Sequence, residues 1–93
     1  MLNQSLKLNT KIFNNDVERI STRQGFGDGL LIAGNESENI VVLSADLSES
    51  TKVNIFAERF PERFIELGVA EQNLATVSSG MAAMGKIPFI ASY

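Results

Sequence analysis

The sequence predicts an α/β fold in which helical crossovers connect the strands of a parallel sheet. Three short apolar segments, at 40–43, 64–67 and 87–91, have the composition of strands, and helix-like spacing of apolar residues occupies the stretches between them. The alternation of helix and strand, with crossovers long enough for a right-handed parallel unit, is typical of this class. With 93 residues, the chain forms at most one small domain.

The first predicted elements are a helix and a buried strand. Ser21 or Thr22 can cap the helix, and Gly34 provides a signal for its end. The continuous β-branched segment at 40–43 indicates a strand that is covered on both faces. A helix followed by a buried strand therefore begins the predicted domain.

Two further helix and strand pairs follow. Ser50 or Thr51 is predicted to cap the second helix, which Pro61 prevents from continuing. A short strand at 64–67 leads to a third helix over about 70–84, and the third strand follows it. The third helix is rich in Ala, Ser and Gly, so another helix can approach it closely.

Composition limits the chemistry open to the chain. The formal net charge is −3 without runs of like charge, which argues against a nucleic-acid partner. There is no His and no Cys, so any catalysis must use carboxylates, hydroxyls, Lys, Arg or a cofactor. The apolar segments are far shorter than the roughly 20 residues of a membrane span, and the first residues lack a signal-peptide pattern. We therefore expect a cytoplasmic protein without a membrane partner.

Two polar clusters follow predicted strands, where open parallel sheets bind their ligands. The first, at 45–51, contains hydroxyls and helix-start N–H groups that could hold a phosphate, although a helix cap with an Asp turn is the simpler interpretation. The second, at 68–73, places Glu71 in the first turn of a helix, where stabilising the helix dipole is the simpler role. Composition alone leaves both alternatives open.

Five ordered segments resemble the pyrimidine-binding module of transketolases. They are TRQGFG at 22–27, VLSADLSESTK at 42–52, FPERF at 60–64, GVAEQN at 68–73 and GKIPF at 85–89. More narrowly, the chain looks like the start of this module in the C-terminal subunit of a split transketolase. The resemblance implies a partial thiamine-diphosphate-binding fold, with an N-terminal arm at residues 1–20 and an incomplete pyrimidine-binding module at 21–93.

The resemblance also implies an activity. Transketolases use thiamine diphosphate to transfer a two-carbon ketol unit between sugar phosphates, in the pentose phosphate pathway. The module would supply half of an active site, while a diphosphate-binding N-terminal subunit would hold the cofactor's diphosphate and Mg²⁺. The implied assembly is a homo- or hetero-oligomer, and this chain would contribute no metal ligand.

Family roles fall on five residues of this sequence. Glu71 matches the Glu that hydrogen-bonds a ring nitrogen of the aminopyrimidine, a task suited to a carboxyl in a setting of small apolar residues. Arg23 and Ser50 match two contacts to the substrate phosphate. Asp46 matches an acidic residue at the cofactor and subunit boundary, and Tyr93 matches an aromatic residue beside the pyrimidine ring.

Other interpretations remain open. Deoxyxylulose-phosphate synthases and the β subunits of 2-oxoacid dehydrogenases contain the same module; the segment at 46–52 favours transketolase, and Asn73 stands where the synthase usually has His. Gln72 stands where many full-length transketolases have His, so that proton-handling group is missing. A truncated module that only binds a partner is the non-catalytic alternative.

One motif imitates a metal site. The segment at 27–29, together with Asn54, has the spacing of the magnesium-diphosphate motif of thiamine-diphosphate enzymes. That motif directly follows a strand, whereas Asp28 lies within a predicted helix. We therefore expect no metal site at these residues.

Overall fold

The computed structural model describes residues 3–93, and its regular elements begin at Thr22. In chain order they are α1 (Thr22–Glu36), β1 (Ile40–Ser44), α2 (Ser48–Thr51), α3 (Asn54–Arg59), β2 (Phe64–Glu66), α4 (Glu71–Ala83) and β3 (Ile87–Ala91). A single 3-10 turn, Pro61–Arg63, joins α3 to β2. The α/β class predicted from the sequence is confirmed.

The strands form one parallel sheet with β1 at its centre. The strand order is β2-β1-β3, and Val42 of β1 is aligned with Phe64 on one side and Phe89 on the other. All five residues of β1 are buried. The strand is therefore covered on both faces, as the β-branched segment predicts.

One side of the sheet packs against α1 and α3, and we call it the α1 side. Side chains alternate along a strand, so Ile40 and Val42 lie on the same face of β1. They form a buried cluster with Leu30 of α1 and with Phe56 and Phe60, whose ring centroids are 5.0 Å apart. Aromatic rings at this distance and in a tilted arrangement attract each other beyond their burial of apolar area.

The other side packs against α4, and we call it the α4 side. Val41, Leu43 and Ala45 lie on this face and form a smaller buried cluster with Leu74. Only Leu74 and Ser78 of α4 are buried. Most of the helix surface therefore remains uncovered by the described residues.

Arg63 binds the carboxyl end of α1 on the α1 side of the sheet. Its guanidinium donates hydrogen bonds to the carbonyl oxygens of Ser37 at 2.9 Å, Gly34 at 3.1 Å and Ile40 at 3.3 Å. It also lies 3.9 Å from the centroid of the Phe60 ring, and the side chain is only 14% exposed. The last carbonyl groups of a helix have no partner within the helix, so Arg63 satisfies acceptors that α1 leaves open.

The beginning and the end of α1 differ in how well the sequence predicts them. Ser21 is the N-cap, and its hydroxyl accepts a hydrogen bond from the backbone N of Gln24 at 3.1 Å. Gly34 does not end the helix, which continues to Glu36. Gly34 instead allows close packing, because an added Cβ would lie 2.6 Å from a ring carbon of Phe56.

The predicted second helix is wrong in its start and its continuity. Ser50 and Thr51 lie inside α2 instead of capping a helix, and Lys52 has a left-handed backbone with φ 68° that separates α2 from α3. Val53, which lies between the two helices, is fully buried. Pro61 follows α3 as predicted, at the start of the 3-10 turn.

Residues 3–20 form turns and irregular backbone. Their larger apolar side chains are exposed, including Leu8 and Phe13. A role for residues 1–20 as an arm stays a prediction, and Met1 and Leu2 lie outside the described residues. Within residues 3–93, no helix is both long and apolar enough to cross a membrane.

Candidate functional site

The candidate residues gather at one edge of the sheet. Asp46 follows β1, Glu71 opens α4 after β2, and Tyr93 follows β3. The carboxyl ends of parallel strands share an edge, which is where open α/β sheets bind ligands. Arg23, in the first turn of α1, and Ser50, in α2, lie at the same edge because both meet Tyr93.

Tyr93 brings Arg23 and Ser50 together, and we call these three residues the Arg23 cluster. The Tyr93 hydroxyl shares a hydrogen bond with the Ser50 hydroxyl. The guanidinium carbon of Arg23 lies 5.3 Å from the centroid of the Tyr93 ring, within the range of a cation–π contact. Three side chains that are far apart in the sequence therefore form one group.

Two members of the Arg23 cluster, Arg23 and Tyr93, line a cleft of about 340 Å³, whereas Ser50 does not belong to its lining. Its lining consists of Thr22, Arg23, Phe26, Thr51, Ile90, Ala91, Ser92 and Tyr93. The Phe26 side chain is 36% exposed. The cleft thus combines apolar walls with a guanidinium and hydroxyl groups, a combination that suits a small ligand bearing an anionic group.

Glu71 lies in a different concavity of the same edge. It is exposed in the first turn of α4, and Ala70, Gln72, Asn73 and Thr76 form the rest of an open depression of about 570 Å³. The sequence predicts that small apolar residues surround the Glu71 carboxylate. Within the described residues this is wrong, because the carboxylate is exposed and most of its neighbours in the depression are polar. The small residues of α4 continue along the helix, so any enclosure of Glu71 must come from a surface outside residues 3–93.

Asp46 is held by a residue that the sequence pattern does not single out. Its backbone is left-handed, with φ 61°, and its N–H donates a hydrogen bond to Oε2 of Glu66 at 2.9 Å. The same oxygen accepts from the N–H of Gly68 at 3.0 Å. The only sequence signal for Glu66 is its place at the end of a strand, in front of the segment that contains Glu71.

Acidic side chains are dispersed over the part of the chain that the structure describes. Within residues 3–93, no group of three or more acidic side chains is arranged to hold a metal ion. Asp28 lies within α1 and accepts a hydrogen bond from Nε2 of Gln24 at 2.8 Å, while Asn54 begins α3. The carboxylate, guanidinium and hydroxyl groups at the edge suit a heterocycle and a single anionic group.

Comparisons with known proteins match the same part of the chain. The model of the family described as transketolase, pyrimidine binding domain, matches residues 18–93. The proposed transketolase C-terminal section of Methanocaldococcus jannaschii is 51% identical over 71 residues, which cover 76% of this chain and 22% of that protein. A 1-deoxy-D-xylulose-5-phosphate synthase of Syntrophus aciditrophicus is 38% identical over 73 residues, covering 78% of this chain and 11% of the synthase.

A solved structure has the same fold. It is a split gene transketolase in an inactive β4 tetramer, and it matches with a TM-score of 0.70 and 52% sequence identity. The match covers 78% of this chain and 24% of the solved chain. The chain thus spans about a quarter or less of the length of the proteins it matches.

Proposed function

Because the chain belongs to the family of transketolase pyrimidine-binding domains, we propose that it supplies the pyrimidine side of a thiamine-diphosphate site in a split transketolase. The reaction is transfer of a two-carbon ketol unit between sugar phosphates. The observation that carries the proposal is the position of Glu71, an exposed carboxylate in the first turn of α4 beside an open concavity at the carboxyl edge of the sheet.

Glu71 is the proposed catalytic residue. Thiamine diphosphate, when bound, supplies the carbanion chemistry that carries the two-carbon unit. The carboxyl of Glu71 would hydrogen-bond a ring nitrogen of the pyrimidine and hold a proton there, which requires neither His nor Cys. A partner surface that covers α4 would exclude water from this contact and so strengthen it.

The Arg23 cluster is the proposed site for the substrate phosphate. Within residues 3–93, Arg23 forms no ion pair, so its guanidinium donors are available to an anion. The Ser50 hydroxyl adds a neutral donor, and Tyr93 contacts both side chains. Guanidinium groups bind phosphate through paired hydrogen bonds, which supports this assignment. Stacking of Tyr93 on the pyrimidine ring stays a prediction.

The remaining parts of the site are proposed to come from another polypeptide. Residues 3–93 offer no cluster of metal-ligating side chains, so a diphosphate-binding transketolase subunit would hold the diphosphate and Mg²⁺. Asp46 lies at the same edge and is exposed, which suits a place at the boundary between the subunits and the cofactor. The relative solved as an inactive β4 tetramer supports a requirement for a second kind of subunit.

The test is reconstitution of the subunit that contains this chain with a diphosphate-binding subunit, thiamine diphosphate and Mg²⁺. Ketol transfer between sugar phosphates should appear only when both subunits are present. Glu71→Gln keeps the shape and the hydrogen-bonding ability but cannot share the acidic proton, so turnover should fall by about 10² to 10⁴. Glu62→Gln is the matched control, because Glu62 is also exposed but lies in the 3-10 turn before β2.

The possible outcomes separate the competing functions. Near-normal turnover and near-normal deuterium exchange at the reactive thiazolium carbon in Glu71→Gln would contradict the proposal. Formation of 1-deoxyxylulose 5-phosphate in place of ketol transfer would assign the chain to the synthase, the second candidate supported by a 38% identical relative. Stable association of the subunits without either reaction would assign it to a non-catalytic interaction module.

A further inference from the structure

The last side chain of β2 connects two loops that follow different strands. Oε2 of Glu66 accepts a hydrogen bond from the backbone N–H of Asp46 at 2.9 Å and another from that of Gly68 at 3.0 Å. Asp46 follows β1, whereas Gly68 lies between β2 and α4. A single carboxylate oxygen therefore holds the two loops together at the carboxyl edge of the sheet.

Both N–H groups belong to residues with a left-handed backbone. Asp46 has φ 61° and Gly68 has φ 73°. This conformation is unfavourable for a residue with a Cβ, and it persists only where the surrounding structure fixes it. The hydrogen bond from Asp46 to an ionised acceptor is of the stronger kind, so Glu66 provides such fixation.

The same contacts lead to the start of α4. The N–H of Ala70 donates to the carbonyl oxygen of Gly68 at 2.8 Å, and the N–H of Leu74 donates to that of Ala70 at 2.9 Å. Ala70 is the N-cap of α4, where no side chain provides a capping hydrogen bond. The first turn of α4, which contains Glu71, is therefore anchored through the backbone that Glu66 holds.

We propose that Glu66 is a positioning residue, which fixes the Asp46 loop and the start of α4 so that Glu71 stands correctly at the cofactor's pyrimidine. This role rests on the function proposed above. Glu66 acts through the backbone and takes no part in proton transfer. Both of its partners are N–H donors, so an amide oxygen at the same place can accept both bonds, whereas a shorter or missing side chain cannot.

The experiment compares Glu66→Ala, Glu66→Asp and Glu66→Gln in the reconstituted enzyme, with Glu62→Ala as the matched control. Amide hydrogen exchange is measured by mass spectrometry in the peptides 45–51 and 67–74, together with the cofactor concentration at half-saturation. In Glu66→Ala we expect exchange to rise about tenfold or more in both peptides, the size of one lost hydrogen bond to a charged group. The cofactor concentration at half-saturation should also rise by about tenfold or more.

The other variants make the proposal specific. Glu66→Gln should lie between the wild type and Glu66→Ala in both measurements, because an acceptor oxygen remains although its charge is lost. Glu66→Asp should resemble Glu66→Ala, and it serves as the test if the Ala variant does not assemble. Unchanged exchange in either peptide, or unchanged half-saturation, in the Ala or Asp variant would overturn the proposal, and so would a Gln variant as impaired as Ala.

Failure of this proposal can be distinguished from failure of the proposed function. If Glu71→Gln is inactive while Glu66→Ala binds the cofactor normally, Glu71 is catalytic and Glu66 does not position it. If Glu71→Gln turns over normally, the proposed function fails. The positioning role of Glu66 is then overturned as well, whatever amide hydrogen exchange is measured in the two loops.

Discussion

The two sides of the sheet differ in how much of their surface the chain itself covers. On the α1 side, Leu30, Phe56 and Phe60 pack on β1, and Arg63 satisfies the carbonyl groups at the end of α1. On the α4 side, the buried cluster is smaller and α4 keeps most of its surface exposed. The α1 side is therefore closed by the described residues, whereas the α4 side is left largely uncovered by them.

The candidate residues divide in the same way. The Arg23 cluster forms between α1, α2 and the segment after β3, and its contacts are complete within the chain. Glu71 stands on α4, next to a helix surface of small exposed residues, which are Ala75, Ser79, Gly80, Ala82 and Ala83. We infer that a helix packed on this surface would also enclose Glu71. One half of the site is thus preorganised within residues 3–93, whereas the surroundings of Glu71 are left open by them.

The largest effect is expected on the α4 side. Glu71→Ala should lower kcat of the reconstituted enzyme by about 10² to 10⁴, the contribution of a positioned proton-transfer group. The free energy of unfolding should fall by only about 0.3–1 kcal/mol, the value of a first-turn carboxylate at a helix dipole. Steady-state kinetics and urea unfolding measure the two quantities. A large decrease in the free energy of unfolding with a small decrease in kcat would show that Glu71 stabilises the fold and is not catalytic.

Arg23→Ala tests the preorganised half of the site. The KM for phosphorylated substrates should rise by about 10- to 100-fold, because hydrogen bonds between guanidinium and phosphate are lost. The KM for substrates without a phosphate should change less than about twofold. Arg19→Ala, which removes an exposed cation before α1, is the control for net charge. Equal changes for both kinds of substrate would show that Arg23 is structural.

Gly34→Ala tests whether the α1 side is closed. The new methyl group would lie 2.6 Å from a ring carbon of Phe56 and 2.7 Å from one of Phe60. Overpacking of this kind should reduce the free energy of unfolding by about 1–3 kcal/mol. Gly29→Ala, on the same helix with nothing within 4 Å of the added Cβ, should instead increase it by about 0.5–1 kcal/mol. Similar shifts in the two urea midpoints would contradict the close packing.

The smallest effect concerns the hydrogen bond within the Arg23 cluster. Tyr93→Phe keeps the ring beside Arg23 but removes the hydroxyl that bonds to Ser50. The KM for phosphorylated substrates should rise by about two- to tenfold, the range of one neutral hydrogen bond. Ser50→Ala should have a somewhat larger effect, because it also removes a donor to the phosphate. In a double-mutant cycle the two changes should not add, and full additivity would show that the two hydroxyls act independently.

Local patterns predict the strands well and the helix ends less well. The β-branched composition of 40–43 predicts a fully buried strand, and β1 is one. The left-handed backbone at Lys52 has no such signal, because a non-glycine residue with positive φ is held by packing elsewhere in the fold. The sequence therefore predicts one helix where the structure contains two, α2 and α3.

For the candidate site, too, the sequence predicts local positions but not contacts between residues that are remote in the chain. The two polar segments after predicted strands place Ser50 and Glu71 at the carboxyl edge of the sheet, whereas Arg23 is assigned only by the family resemblance. The supporting side chains were not predicted, because their partners are remote in the sequence: Glu66 reaches Asp46 across 20 residues, and Arg63 reaches Gly34 across 29. The exposure of Glu71 was not predicted either, since it depends on a surface that this chain does not cover.

The three hydrogen bonds of Arg63 also have a consequence for how the protein unfolds. Helix ends usually open and close locally, well below the free energy of global unfolding. The last turn of α1 cannot do so without breaking the hydrogen bonds that Arg63 donates to the carbonyl oxygens of Gly34 and Ser37. This helix end is therefore joined to the turn before β2 in one cooperative unit, so its amide protons should exchange only when the α1 side as a whole unfolds.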